Sequence, residues 1–268
     1  MQGTYGGMVE IKRKAALVTG AGKRIGRAIA LDLAAQGWAV GVHYRESRQD
    51  ADAVVALIEA RGGRAAALQA DLERESDVQA LVPQAVEHLG TLTLLVNNAS
   101  CFERDEIGDV TRDSWDRHME ANLRAPFVLS QAFAAQLPAS RDSGDENGLI
   151  VNMLDQRVWN LTPHFITYTL SKAGLWTLTQ TLAMALAPRI RVNGIGPGPT
   201  LRNVRQTDAE FAAQRDSTPL QRGTTPDEIC AALRFLIDAP AMTGQMIALD
   251  GGEHLGWAQP LHGFVPVE

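Results

Sequence analysis

The amino-acid sequence predicts one doubly wound α/β domain, in which a seven-stranded parallel sheet has helices on both faces. Three observations lead to this prediction. Short runs rich in β-branched residues and bounded by glycine alternate with longer segments of helical periodicity, as in repeated βαβ units. The length of 268 residues lies within the range of a single large α/β domain. The 45% hydrophobic and 21% charged residues are typical of a globular protein.

The strands and helices follow one another in a regular order along the chain. The predicted strands are short apolar runs at Ala15–Thr19, Ala39–His43, Ala65–Gln69, Leu92–Asn97, Leu149–Met153, Ile190–Ile195 and Gln245–Leu249. The amphipathic segments between them are long enough to be crossover helices. They lie at Arg24–Gln36, Arg48–Arg61, Glu75–Leu89, Ser114–Leu137, Tyr168–Ala187 and Thr225–Ile237.

The domain is expected to span residues 14–254, after an N-terminal extension of residues 1–13 and before a tail of residues 255–268. The polar segment Ala139–Gly148 is too short to link two domains. Residues from about 198 to 224 hold the longest stretch without a strand signal and follow a Gly-Pro-Gly-Pro hinge. This segment is therefore predicted to be a substrate lid.

Composition excludes several classes of function. A net charge of −6 disfavours nucleic acid and anionic lipid as partners. No run approaches the 18 apolar residues of a membrane span, and no signal-type segment precedes the first strand. Two cysteines are too few for a disulfide framework, and the six histidines show no metal-ligand spacing. We therefore expect a cytoplasmic protein with a small-molecule substrate and no metal.

A glycine-rich turn joins the first predicted strand to the first predicted helix. Its sequence is Thr19-Gly20-Ala21-Gly22-Lys23-Arg24-Ile25-Gly26. Glycines allow the backbone to turn sharply and approach a pyrophosphate, whose charge is met by the amides of the helix N-terminus. A tight strand-to-helix turn also needs glycine without any ligand. The position of this turn favours dinucleotide binding.

The end of the second predicted strand points to the form of the dinucleotide. It reads His43-Tyr44-Arg45-Glu46-Ser47, with no acidic residue at the strand tip to hold a ribose 2′-hydroxyl. Arg45 and Ser47 suit a 2′-phosphate instead, and Lys23 or Arg24 offers a second cation. The sequence therefore favours NADP(H) over NAD(H). The alternative is that Arg45 and Lys23 are solvated surface charges.

Tyr168 and Lys172 lie four residues apart on a predicted helix and so share one face. A lysine charge about 4 Å from a phenol is worth roughly 4 kcal/mol at an effective dielectric constant of 20. That attraction would lower the pKa of Tyr168 towards the range useful for acid–base catalysis, although desolvation opposes it. Asp155 precedes the tyrosine by thirteen residues.

An ordered set of motifs accompanies this pair. They are Thr19-Gly20 with Gly26, Asp71-Leu72, Asn97-Asn98-Ala99, Asn122, Tyr168 with Lys172, Pro197-Gly198 and Asp250-Gly251-Gly252. With these motifs the chain from about residue 14 to 252 resembles the short-chain dehydrogenase/reductases. The resemblance implies a single-domain Rossmann fold. It also implies a homotetramer, or a homodimer, formed through the helix after Tyr168 and the helix that carries Asn122.

The resemblance implies roles for individual residues. Tyr168 is the proton donor or acceptor, Lys172 binds the nicotinamide ribose and lowers the tyrosine pKa, and Asn122 orders a proton relay. Asp71 meets the adenine, and the backbone near Pro197 contacts the nicotinamide amide. The residues expected to bind NADP(H) are Gly20, Lys23, Arg24, Ile25, Gly26, His43, Tyr44, Arg45, Ser47, Asp71, Leu72, Asn98, Ala99, Ser100, Lys172, Pro197 and Gly198.

Two departures from the family pattern concern the substrate. Arg24 replaces the middle glycine of the first motif, and Asp155 replaces the catalytic serine. Both resemble the pteridine reductase branch, including dihydromonapterin-type reductases, as does the run Asn98-Ala99-Ser100-Cys101-Phe102. Phe102 is then expected to sandwich a flat pterin against the nicotinamide, unless it is a core or lid residue. The expected substrate-site residues are Arg24, Ser100, Phe102, Asp155, Trp159, Phe165 and Tyr168.

The sequence thus predicts an NADPH-dependent reductase of pterins, with Tyr168, Lys172, Asp155 and Asn122 in the catalytic group. Whether Asp155 or Tyr168 is the terminal acid stays open at this stage. The main alternative is a reductase of carbonyls such as ketones, quinones, sugars or steroids. An ionised Asp155 would be unfavourable there, because it repels a developing oxyanion. A third hypothesis is a non-catalytic NADP-binding regulator. The presence of Tyr168, Lys172 and Asn122 argues against it.

Overall fold

The structure is a computed structural model that describes residues 14–137, 148–203 and 205–256. The predicted N-terminal extension, residues 1–13, and residues 257–268 of the predicted tail lie outside the described residues. Within the described ranges, no helix combines the length and apolar character needed to cross a membrane.

Among the described residues, seven parallel strands form one sheet. In chain order they are β1 (Ala15–Val18), β2 (Ala39–Tyr44), β3 (Ala65–Gln69), β4 (Leu94–Asn97), β5 (Gly148–Met153), β6 (Ile190–Pro197) and β7 (Met246–Leu249). Their order across the sheet is β3-β2-β1-β4-β5-β6-β7. The predicted doubly wound α/β fold is confirmed.

The helices lie between the strands, and most of their positions agree with the hydrophobic periodicity. They are α1 (Arg24–Ala35), α2 (Arg48–Glu59), α3 (Glu75–Leu89), α4 (Arg112–Met119), α5 (Ala125–Gln136), α6 (Ile166–Leu186), α7 (Asp208–Asp216) and α8 (Pro226–Asp238). The predicted helix over Ser114–Leu137 is interrupted by a π-helical turn at Glu120–Arg124, which separates α4 from α5.

Helix α7 lies within the predicted lid and was not predicted as a helix. It has nine residues and none of them is buried, so no apolar stripe marks it in the sequence. Thr207 and Glu210 form a reciprocal capping box at its N-terminus. A short exposed helix of this kind depends on its cap rather than on packing.

Alternate side chains of the strands build two separate cores. Ala16 and Val18 of β1 pack on the face covered by α1, α2 and α8, whereas Ala15 and Leu17 pack on the face covered by α3, α5 and α6. This alternation follows from the twofold period of a strand. Both faces are apolar because parallel sheets are covered on both sides.

The strand order places a switch point between β1 and β4. The chain leaves β1 towards β2 on one side, while β4 lies on the other side. In open parallel sheets of this kind, ligands bind in the crevice beyond the carboxyl ends of the strands at the switch point. The glycine-rich turn after β1 and the Asn98 segment after β4 both open into this crevice.

Candidate active site

The glycine-rich turn is held in shape by contacts with neighbouring strand ends. Gly20 has a φ of +64°, which favours glycine, and its amide donates to Nδ1 of His43 at 2.9 Å. The side-chain amide of Asn98 donates to the carbonyl oxygen of Thr19 at 2.8 Å. A Cβ on Gly26 would lie 2.2 Å from the carbonyl oxygen of Gly20. The helix therefore approaches the turn as closely as a residue without a side chain permits.

His43 supports the turn from behind. Its Nδ1 accepts from the Gly20 amide, and its Nε2 donates to the carbonyl oxygen of Ala70 at 3.1 Å. Burial lowers the pKa of His43 to about 4, so the ring is neutral near pH 7. Both ring nitrogens are engaged by backbone groups, which makes His43 a support of the turn as well as a wall of the cleft.

A cleft of about 1410 Å³ runs from this turn along the carboxyl edge of the sheet. It brings together fourteen of the seventeen residues expected to bind the cofactor. They are Gly20, Lys23, Arg24, Ile25, Gly26, His43, Tyr44, Arg45, Ser47, Asp71, Leu72, Asn98, Ala99 and Ser100. The other three, Lys172, Pro197 and Gly198, line an adjoining cavity of about 630 Å³.

The cations expected to meet a 2′-phosphate already have carboxylate partners. Arg45 is 2.6 Å from Glu73 and 3.5 Å from Asp71, and Lys23 is 3.0 Å from Asp50. Half of the Arg45 side chain and more than half of the Lys23 side chain are exposed. Exposed pairs of this kind are weak, with a typical worth of about 0–1 kcal/mol, so a phosphate can compete for both cations.

Tyr168 and Asp155 meet directly in the smaller cavity. The tyrosine hydroxyl donates to Oδ2 of Asp155 at 2.8 Å, and Oδ1 of Asp155 accepts from the Arg157 amide at 2.8 Å. Burial, followed by the Asp155 carboxylate, raises the pKa of Tyr168 well above its ordinary value. The pKa shift is opposite in direction to the one expected from Lys172 alone. The reason is that complete burial and the neighbouring Asp155 carboxylate outweigh the lysine charge.

Lys172 lies beneath the tyrosine ring. Its Nζ is 5.8 Å from the centre of the Tyr168 ring and donates to the carbonyl oxygen of Met153 at 2.7 Å. Burial lowers the pKa of Lys172 to about 8, although Asp155 opposes this change. The spacing of four residues on α6 has therefore placed both side chains at one site, as the sequence predicted.

Asn122 ties the loop after β4 to helix α6. Its side chain accepts from the Cys101 amide at 2.8 Å and donates to the Cys101 carbonyl at 2.9 Å. It also donates to Oγ of Ser171 at 3.0 Å, and that hydroxyl donates to the carbonyl oxygen of Tyr168. Asn122 is fully buried within the π-helical turn. π-Turns are often found at functional sites, so the wide turn is a second indication of function here.

Two phenylalanines form the flat wall of the smaller cavity. The rings of Phe102 and Phe165 stack with centroids 4.8 Å apart and an interplanar angle of 2°. The edge of the Tyr168 ring meets Phe102 at 4.7 Å. Phe165 has a φ of +58°, a left-handed conformation that is costly for a bulky residue. Such strain is concentrated at ligand sites, where the surrounding structure maintains it.

Six of the seven predicted substrate-site residues line the smaller cavity. They are Arg24, Ser100, Phe102, Asp155, Phe165 and Tyr168. Trp159 is not among the residues that line this cavity in the structure, and its place in the substrate site stays a prediction. Its ring packs against Trp176 at 6.1 Å and His254 at 5.3 Å.

The segment predicted to be a lid lines the smaller cavity and is attached to the glycine-rich turn. The Arg24 guanidinium donates to the carbonyl oxygens of Leu201 and Arg202 at 3.0 and 2.8 Å. Glu210 and Phe211 of α7 line the cavity. The function of this segment as a lid stays a prediction. Arg24 was expected at the cofactor and the substrate, and its link to the lid backbone has no signal in the sequence.

Five charged residues of the smaller cavity were not identified from the sequence. They are Arg104, Arg157, Arg205, Glu210 and Glu253. The Arg157 guanidinium lies 4.8 Å from the centre of the Phe165 ring. Glu253 directly follows the Asp250-Gly251-Gly252 motif at the end of β7. The sequence gives one local indication that Glu253 belongs to the site, which is its position just after a predicted strand. The carboxyl ends of parallel strands lie at the same edge of the sheet, where ligands bind.

Comparison with known proteins places this geometry in a family. A family model described as enoyl-(acyl carrier protein) reductase matches residues 20–254. The solved structure of FolM alternative dihydrofolate reductase 1 from Brucella suis, in complex with NADP, is 46% identical with a TM-score of 0.87. That match covers 92% of this chain and 97% of that chain.

Two curated relatives are similar over almost their whole length. An uncharacterized oxidoreductase of Methylorubrum extorquens is 37% identical over 91% of this chain and 99% of its own. A 3-oxoacyl-[acyl-carrier-protein] reductase of Synechocystis is 33% identical over 91% of this chain and 98% of its own. The fold, the Tyr168 and Lys172 pair and these matches agree. The chain belongs to the short-chain dehydrogenase/reductase family of oxidoreductases.

Proposed function

We propose that this enzyme uses NADPH to reduce a C=N bond of a dihydropterin. The cofactor occupies the larger cleft and the pterin occupies the smaller cavity, where Tyr168 and Asp155 lie. The observation that carries the proposal is the 2.8 Å hydrogen bond from the Tyr168 hydroxyl to Asp155.

A carboxylate beside the tyrosine suits an imine-type substrate better than a carbonyl. Hydride addition to a carbonyl builds negative charge on oxygen, and the Asp155 carboxylate would repel that charge. Reduction of a C=N bond instead requires a proton at nitrogen. A tyrosine that shares a proton with a carboxyl group is a suitable source of it.

The residues of the larger cleft fit NADPH. Gly20 and Gly26 leave no Cβ between the backbone and a pyrophosphate, and a Cβ on Gly26 would meet the turn itself. Arg45 and Lys23 are exposed enough to turn towards a 2′-phosphate. NADPH, when bound, supplies the hydride. The Brucella suis relative in complex with NADP supports this choice of cofactor.

The chain's own residues hold and move the proton. Asp155 orients the Tyr168 hydroxyl through the 2.8 Å hydrogen bond, and Tyr168 donates its proton to the substrate nitrogen. The Lys172 ammonium beneath the ring stabilises the negative charge left on Tyr168. Water in the cleft then returns a proton to Tyr168.

The flat wall formed by Phe102 and Phe165 is the surface on which the pterin ring binds. A flat pterin can stack on the wall formed by the parallel rings of Phe102 and Phe165, whose centroids lie 4.8 Å apart. Glu210 and Phe211 of α7 also line this cavity. The 46% identity to an alternative dihydrofolate reductase supports a pterin as substrate.

A carbonyl substrate is the second candidate, because curated relatives are named 3-oxoacyl-[acyl-carrier-protein] reductases. The two candidates are distinguished by NADPH oxidation with a dihydropterin and, in parallel, with a 3-oxoacyl thioester. We expect turnover of the dihydropterin, and its loss in Tyr168→Phe. Turnover of the thioester alone would reject the pterin assignment. Unchanged turnover in Tyr168→Phe would reject the proposed proton donor.

A further inference from the structure

Glu253 faces the smaller cavity from the end of β7. It is the first residue of a short 3₁₀ turn, Glu253–Leu255, and lines the cavity together with Asp155, Arg157 and Phe165. Its Oε2 lies 3.0 Å from the point that a Cβ on Gly198 would occupy, so the glycine makes room for the carboxyl group.

The Glu253 carboxylate differs from its acidic neighbours in having no partner among the described residues. Asp155 accepts from Tyr168 and from the Arg157 amide. Asp250 accepts from the Gly252 amide and from the amide and ring of His254. The hydrogen bonds that Glu253 accepts go to its backbone carbonyl, from the Asn160 side chain and from the Gly256 amide, each at 3.1 Å. Both oxygens of its side chain are therefore available to a ligand.

The surroundings of Glu253 destabilise a carboxylate that has no hydrogen-bond donor. Its side chain is half-buried, and burial raises the pKa of Glu253 to about 7, to which Asp155 and Asp250 add while Arg157 opposes. A half-buried carboxylate without a hydrogen-bond donor loses hydration without compensation. A ligand that brings N–H donors into the cavity removes this penalty on binding.

We propose that the Glu253 carboxylate accepts hydrogen bonds from the N–H edge of the substrate, the 2-amino group and ring N–H of the pterin. This inference rests on the proposed function. The pair of adjacent N–H donors matches the two oxygens of a carboxylate. Asp155 is less suited to this contact, because its two oxygens already accept from Tyr168 and from the Arg157 amide. A 3-oxoacyl thioester has no such edge and gains nothing from Glu253 at the reacting end.

The test compares Glu253→Gln with Glu87→Gln in the full-length enzyme. Glu87 is exposed on α3 and lies outside the lining of both cavities. Steady-state kinetics give KM and kcat for a dihydropterin, for a 3-oxoacyl thioester and for NADPH. Equilibrium binding of the oxidised pterin to the NADP⁺-loaded enzyme gives a second readout that does not depend on turnover.

In Glu253→Gln we expect the KM for the dihydropterin and the Kd for the oxidised pterin to rise about tenfold, since a charge-assisted hydrogen bond is lost. The KM for NADPH should stay unchanged, as should all constants of Glu87→Gln. An unchanged pterin KM would overturn the inference. An equal rise in the KM for NADPH would overturn it too, because the carboxylate would then bind the nicotinamide amide.

The pH dependence of the pterin KM tests whether the ionised Glu253 carboxylate binds the substrate. Groups that face Glu253 are Asp155 and Arg157 from the segment after β5, Asp250 from the end of β7, and His254 beside Asp250. Only the ionised carboxylate accepts both N–H donors, so the pterin KM should rise as pH falls below about 7, and Glu253→Gln should lose that rise. If the wild-type enzyme neither turns over nor binds a pterin, the proposed function itself is rejected, and the inference about Glu253 is rejected with the proposed function.

Discussion

Asp155 controls the proton of Tyr168 through one hydrogen bond. In that bond the tyrosine hydroxyl is the donor and the Asp155 carboxylate is the acceptor. This arrangement is expected when the phenol is protonated. The pKa of Tyr168 is raised by burial and by Asp155, so a free phenolate is disfavoured at this site. The phenol therefore keeps its proton until the substrate takes it, and the adjacent carboxylate disfavours an oxyanion at this site.

Replacement of this carboxylate should change the substrate preference. In Asp155→Ser, dihydropterin turnover should fall about a hundredfold, a typical loss when a general acid is removed. Turnover of a 3-oxoacyl thioester should rise, because a hydroxyl stabilises an oxyanion that a carboxylate repels. The measurement is NADPH oxidation with each substrate.

The matched control for that substitution is Asp238→Ser. Asp238 is exposed at the end of α8 and lies outside the lining of both cavities. It should leave both activities unchanged. If Asp155→Ser loses both activities equally, Asp155 supports the site in general and does not select the substrate.

Lys172 should make stability depend on pH in the alkaline range. Its pKa is lowered from 10.5 to about 8 in the folded protein, so between pH 8 and pH 10 the unfolded chain binds more protons. The free energy of unfolding contributed by this group should therefore rise with pH across that window, by up to about 3 kcal/mol. Urea unfolding at about pH 7.5 and about pH 9.5 measures it.

Lys172→Met removes the titration while keeping the length of the side chain. The difference in stability between the wild-type enzyme and this variant should shift in favour of the wild type as pH rises from about 7.5 to about 9.5. A constant difference across this range would contradict the lowered pKa of Lys172.

The glycine-rich turn is the element that brings α1 close to β1. Gly26→Ala should lower the free energy of unfolding by about 3 kcal/mol and raise the KM for NADPH, because its Cβ would lie 2.2 Å from the Gly20 carbonyl oxygen. Thermal unfolding and NADPH kinetics check both effects. Gly108→Ala is the control, since a Cβ there meets no atom within 4 Å. Equal effects of the two substitutions would argue against a steric cause.

The π-helical turn at Glu120–Arg124 shows how an element acquires a functional shape. Periodicity predicted one helix over Ser114–Leu137, because the residues on both sides of the turn keep a helical pattern. The structure widens the helix by one hydrogen-bond step at Asn122. Asn122 then reaches both the backbone of Cys101 and the side chain of Ser171.

For the whole molecule, the exposed face of α6 is the expected contact between subunits. Leu170 and Met184 lie on it with 47% and 74% exposure, fourteen residues apart and so on one side of the helix. We expect a homotetramer, with the homodimer as the alternative. Light scattering after size-exclusion chromatography should show four chains for the wild type and fewer for Met184→Glu. An unchanged mass in that variant would place the contact elsewhere.

The fold and most of the site could be predicted from local patterns. Seven short apolar runs separated by amphipathic segments predict the parallel sheet, and spacing alone places Tyr168 and Lys172 on one face of a helix. The residues of the NADPH cleft were predictable because they follow strand ends, which meet at one edge of any parallel sheet.

Other features depend on contacts between segments far apart in the chain. Phe102 and Phe165 stack, Glu253 faces Asp155, and Arg24 holds the lid backbone. Trp159 packs against Trp176 and His254, which are also distant from it in the chain. Periodicity and turn chemistry describe residues within a few positions of one another. The direction of a side chain in a cleft is set by packing between elements, and so it emerges only once the chain has folded.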